Sequence, residues 1–187
     1  MNKLSILTSV ASIYASFAIM QDADARFYPY VGLSLGQSSY DDVCNSSTPP
    51  ITSCEDTDIT YKVYAGAKFN RNIAGEVSYR ELGEAEVNTD KISAKGLSAS
   101  AFGIYPASYN LDLFVKIGGI YWDAERTGEM PATSTGADLL YGLGMNYGIN
   151  SSLAVRAEYE NILRVGGEIT SGESPLTQIT LGASWYF

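Results

Sequence analysis

From residue 27 to the end of the chain, apolar residues alternate with polar or small ones at a period of two, in eight successive segments. A period of two belongs to strands whose faces meet different surroundings, because successive side chains point to opposite sides. The first segment sets Phe27, Val31, Leu33 and Leu35 against Tyr28, Tyr30, Gly32, Ser34 and Gly36. The fifth sets Leu111, Leu113, Val115, Ile117, Gly119 and Tyr121 against Asp112, Phe114, Lys116, Gly118 and Trp122. The others fall at 59–70, 73–80, 96–105, 139–147, 153–160 and 177–187. A soluble β-sandwich alternates too, but its polar face would meet water. Here the polar faces carry Gly, Ser, Ala and isolated charges, which suit a tight barrel interior better. Connections alternate in length as well. Residues 70–72, 106–110 and 148–152 are short and rich in turn formers, whereas 41–58, 82–91, 126–136 and 163–174 are long and polar. The pattern predicts an all-β, eight-stranded antiparallel up-and-down transmembrane β-barrel. Its short turns and both termini would be periplasmic and its long loops extracellular.

The N-terminus agrees with export. Lys3 precedes an apolar, hydroxyl-diluted stretch over 4–20, and Ala23-Asp24-Ala25 has the small-x-small pattern of signal-peptidase sites. A cleaved signal over 1–25 and a barrel over 26–187 are expected; an N-terminal membrane anchor is the alternative, for which that stretch is short. The net charge of −9 argues against nucleic acid as a partner. Aromatics fall where membrane interfaces should be. Phe27, Tyr28, Tyr30, Phe69, Tyr105, Tyr147, Trp185 and Phe187 lie at periplasmic strand ends, with Tyr40, Tyr121, Trp122 and Tyr159 toward the outer ends. Two cysteines, Cys44 and Cys54, share one loop. In an oxidising compartment they read as a disulfide, with a pair of free thiols as the alternative. The chain contains no histidine, and nothing resembling a metal-ligand set surrounds the cysteines. No cofactor or metal is expected. No motif supports the nucleophile–base arrangements of membrane hydrolases, so the chain reads as a non-enzyme.

The last eight residues run Thr180-Leu181-Gly182-Ala183-Ser184-Trp185-Tyr186-Phe187. With Gly182, Trp185 and a terminal Phe187, they resemble the signal by which the barrel assembly machinery recognises outer-membrane proteins. The stretch from about Phe27 to Phe187 resembles the transmembrane domain of the OmpA family. The resemblance is carried by Gly75-Glu76-Val77-Ser78-Tyr79, Tyr105-Pro106, Leu111–Val115, Gly118-Gly119-Ile120-Tyr121-Trp122 and Val155-Arg156-Ala157-Glu158-Tyr159. Larger members of that family continue into a peptidoglycan-binding domain, and this chain is expected to be a barrel-only relative.

The resemblance also implies a carboxylate–guanidinium pair, Glu76 and Arg156, acting as a gate across the lumen. The family's competing lysine corresponds to Phe102 and its second glutamate to Asn146, which departs from a switchable gate. Independently, parity places Lys62, Arg80, Asp112, Lys116, Glu158 and Glu160 inside. Buried charges need partners, and an eight-stranded barrel is nearly filled by side chains. Two functions follow as expectations. One is a structural, surface-exposed protein whose loops bind host molecules or other cells, embedded in outer-membrane lipid and lipopolysaccharide. The other is a small gated ion-conducting porin.

Overall fold

The computed structural model describes residues 27–40, 54–55, 57–87, 90–127, 132–165 and 174–187. The strands are β1 (Tyr28–Tyr40), the two-residue β2 (Cys54–Glu55), β3 (Thr57–Lys68), β4 (Ile73–Val87) and β5 (Asp90–Pro106). After them come β6 (Leu111–Thr127), β7 (Ala132–Gly148), β8 (Leu153–Val165) and β9 (Ser174–Tyr186). Strand β2 continues the line of β3, with Cys54 and Glu55 opposite Val87 and Glu86 of β4. The eight long strands pair antiparallel with their sequence neighbours, and β9 returns to β1 through Tyr30↔Tyr186 to Tyr40↔Leu176. Closure leaves no sheet edge along the paired length, which is what a bilayer demands of strands.

Among the described residues, side chains point alternately outward and inward along the eight long strands. Val63, Val77, Leu97, Val115, Ile117, Leu143 and Leu181 point outward and are exposed, while Ser34, Lys62, Ser78, Ser98 and Lys116 point inward and are buried. On β5 the apolar outer face runs from Tyr105 to Leu97 and ends at Lys95. Tilted strands of that length span roughly 25 Å, the height of an outer-membrane apolar belt. One ladder row marks its upper border: Tyr61, Glu81, Lys95, Asp123 and Thr135 are successive cross-strand partners. At the opposite end the turns repeat one device. Asn70 Oδ1 accepts from the Asn72 and Ile73 amides at 2.8 Å each, and Asn150 Oδ1 accepts from those of Ser152 and Leu153 at 2.9 Å each.

Two of the long connections are mostly sheet. Strand β4 runs to Val87 opposite Asp90 of β5, and β6 pairs with β7 up to Arg126↔Ala132. The expected loops at 82–91 and 126–136 therefore shrink to the residues near 88–89 and 128–131. The reason is physical: above the membrane both faces of a ribbon meet water, so its strands need no apolar alternation. Two aromatics also move. Tyr30 and Trp122 belong to no interfacial belt; both are buried in the lumen.

Close packing inside requires glycine. A Cβ on Gly66 would lie 2.6 Å from Tyr30 Cζ, and one on Gly32 would collide with the Tyr64 ring. Each ring packs against its neighbour's bare backbone, so the interior is filled rather than open.

Candidate functional site

The lumen carries its charges in tiers. The upper tier is built on β8, where Glu158 and Glu160 face inward two residues apart while Ala157 and Tyr159 face out. Three cations from other walls converge on them: Lys62 of β3, Arg80 of β4 and Lys116 of β6. Lys62 lies 2.6 Å from Glu160 and also contacts Glu158. Lys116 lies 2.5 Å from Glu158 and also contacts Glu160. Arg80 reaches Glu160 at 2.9 Å and donates to Gln178 Oε1 at 3.0 Å. Its other terminal nitrogen donates to Ser78 and Ser98, at 3.1 and 3.2 Å. Every one of these five charged side chains is 4 % exposed or less. Removing ions from water costs several kcal/mol each, recovered only by mutual pairing and full hydrogen bonding. The shared carboxylates supply that pairing.

The tier below holds Arg156 and Glu76, on β8 and β4, joined across the lumen at 2.5 Å. Arg156 Nε donates to Asn146 Oδ1 at 2.9 Å, and the Tyr30 hydroxyl donates to Glu76 Oε2 at 3.0 Å. The guanidinium lies 4.4 Å from the Tyr64 ring centroid and within 5.6 Å of those of Tyr30, Phe102 and Phe114. An aromatic box of this kind suits guanidinium, which is weakly hydrated and stacks on ring faces. At the turn end Lys68 and Asp112 pair at 2.7 Å, with side chains 20 % and 26 % exposed.

Apolar layers bracket the charges. Above lies a cluster of Leu82, Ala94, Ile120, Trp122, Ala124, Leu140, Ile162 and Leu176; below lies a smaller one of Ala74, Phe102, Ile104 and Phe114.

Glu76 and Arg156 thus meet each other, and Lys62, Arg80, Lys116 and Glu158 meet around Glu160. Parity alone also points to Tyr30, Tyr64 and Gln178, but nothing local in the sequence shows that they complete these tiers. Gly182 packs against Ser34, whereas Trp185 and Phe187 face outward and are exposed. Cys44 lies outside the described residues, as does the expected signal segment 1–25, and the Cys54 side chain is not described. No group of metal-ligating side chains occurs among the described residues.

A closed antiparallel barrel of eight long strands, apolar outside and charged within, defines a small integral outer-membrane barrel protein. The chain belongs to the family of OmpA-like transmembrane domains, whose family model matches residues 22–187. It is 27 % identical over 199 residues to outer membrane protein A of Shigella flexneri, covering 100 % of this chain and 56 % of that protein. With outer membrane protein A of Escherichia coli O157:H7 the identity is 27 % over 197 residues, covering 100 % and 55 %. The chain therefore spans about half the length of the relatives it matches. Among solved structures it is similar in fold to Neisserial surface protein A (TM-score 0.62, 14 % identity, covering 86 % of this chain and 97 % of that one). It is also similar to Ail, the attachment invasion locus protein of Yersinia pestis, solved in complex with the heparin analogue sucrose octasulfate (TM-score 0.57, 14 % identity, 86 % and 99 % covered). Its place is the bacterial outer membrane.

Proposed function

We propose that the protein is a closed outer-membrane scaffold whose function lies in recognition at the cell surface, through its extracellular loops and the sheet that projects above the membrane. One observation carries this reading: the seven lumen charges of the two upper tiers are buried, paired and bracketed by apolar layers. Ion conduction needs sites weak enough to leave, and multiply shared ion pairs in a filled lumen are the opposite. Both termini are periplasmic, the first 25 residues are a cleaved signal, and Cys44–Cys54 is a disulfide tying the first loop. Gly182, Trp185 and Phe187 present the chain to the barrel assembly machinery; phospholipid and lipopolysaccharide surround the belt. The protein acts as a binder rather than an enzyme.

The chemistry of a partner follows from the outer rim. Lys95 is flanked across the strands by Glu81 and Asp123, with Glu125 further out on β6. A sulfated ligand such as the one bound by Ail would meet carboxylates here, so a neutral or cationic surface is the better fit. The test replaces the four extracellular connections by short turns and measures adhesion of the cells. Lost adhesion with an intact barrel supports the reading; unchanged adhesion and every other surface phenotype would sink it.

The second reading, a gated pore, rests on the single Glu76–Arg156 bridge across the lumen. It predicts discrete conductance steps in a planar bilayer, altered by Glu76→Gln or Arg156→Gln.

A further inference from the structure

We infer that the permeability seal of this barrel is the apolar cap on the extracellular half of the lumen, with Trp122 and Leu140 at its centre, and that the Glu76–Arg156 bridge plays no part in it. The inference rests on the closed-scaffold reading and goes beyond it by naming which layer closes the scaffold.

The cap draws on six of the eight long strands: Leu82 from β4, Ala94 from β5, Ile120, Trp122 and Ala124 from β6, Leu140 from β7, Ile162 from β8 and Leu176 from β9. All are 5 % exposed or less. Trp122 lies over its cross-strand neighbour on β7, where a Cβ on Gly136 would lie 2.6 Å from its Cε2 atom. The remaining arc, β1 and β3, is closed by short side chains, Ser38 and Thr60, both buried. Gln178 spans from β9 to this arc, its Nε2 donating to Thr60 Oγ1 at 3.0 Å while its Oε1 accepts from Arg80. The ring is thus apolar on six strands and completed on β1 and β3 by buried polar side chains.

The lower apolar cluster is a weaker barrier. Its four residues come from β4, β5 and β6 only; the facing walls present Tyr30, Tyr64, Ser184 and Lys68, which makes a partly exposed pair with Asp112 of β6. Polar walls let water approach, whereas a hydrophobic constriction excludes water and ions by dewetting. The charge tiers lie on the periplasmic side of that constriction. They hold the walls together, and the cap keeps the lumen dry toward the outside.

The experiment is planar-bilayer recording on the full-length protein isolated from outer membranes, native and in four variants, each shown to be folded by circular dichroism and protease resistance. The native chain, Glu76→Gln and Trp122→Phe, which keeps the apolar fill, are expected to be silent. Trp122→Ala/Leu140→Ala is expected to conduct in discrete steps. Leu140→Ala alone is the milder deletion, with smaller or briefer openings expected, and it decides the matter if the double variant does not fold. Steps from Glu76→Gln with the cap intact would overturn the inference and leave the closed native barrel standing. So would silence from the folded Trp122→Ala/Leu140→Ala variant, or from folded Leu140→Ala where the double variant does not fold. Steps from the native chain itself would overturn both the seal and the closed-scaffold reading.

Discussion

Replacing Glu160 by Gln tests whether the upper charge tier is a mutually compensating unit. Glu160 is fully buried and is, among the described residues, the carboxylate that Lys62, Arg80 and Lys116 all contact. Without its charge, three buried cations face Glu158 alone. Removing one partner of a buried ion pair typically costs about 3–5 kcal/mol, because the other charge stays in a low-dielectric interior without compensation. The amide keeps the shape of the carboxylate, so little of that loss comes from packing. With a urea slope of roughly 2 kcal/mol/M, the unfolding midpoint in lipid vesicles should fall by about 1.5–2.5 M. Tryptophan fluorescence follows the transition, since Trp122 leaves the lumen and Trp185 leaves the lipid on unfolding. The companion variant Glu160→Gln/Lys116→Met restores the original excess of one positive charge and should recover at least half of the loss. A fall worth under about 1 kcal/mol, or a double variant no more stable than the single one, would refute the argument that the tier's charges compensate one another.

Three further outcomes are expected. Gly66→Val should destabilise the barrel by about 2–3 kcal/mol or block its folding, since its Cβ would lie against Tyr30; Gly103→Ala, whose Cβ would be 3.5 Å from Val115, should shift the urea midpoint negligibly. Lys68→Met should cost under about 1 kcal/mol by the same assay, because its pair with Asp112 is partly solvated. Ile117→Lys, on the lipid face near mid-height, should cost about 2–4 kcal/mol in vesicles, while Glu125→Lys, beyond the belt, should be nearly neutral.

The lumen-facing identity of Lys62, Arg80, Lys116, Glu158 and Glu160 was legible from parity, and that of Glu76 and Arg156 was implied by the family resemblance. Their grouping into two tiers was not. Lys62 and Glu158 are 96 residues apart on strands that do not adjoin. What brings them together is the stagger between strands around the closed barrel, a property of the whole sheet that no local period encodes. The apolar cap was hidden for a related reason. Leu139 and Leu140 are consecutive, one facing outward and the other into the cap, so alternation fails where the lumen itself turns apolar. The same failure above the membrane made strand read as loop at 82–87 and 132–136.

By itself the sequence determined the strands, their two faces and their closure. A period of two is local, and a bilayer permits strands only as a closed barrel. The tertiary structure alone decided which inward residues meet. It paired Arg156 with Glu76 inside a box of rings and gathered three cations on Glu158 and Glu160. Contacts across a lumen depend on the tilt and shear of all eight strands at once, and those are fixed only when the last strand joins the first.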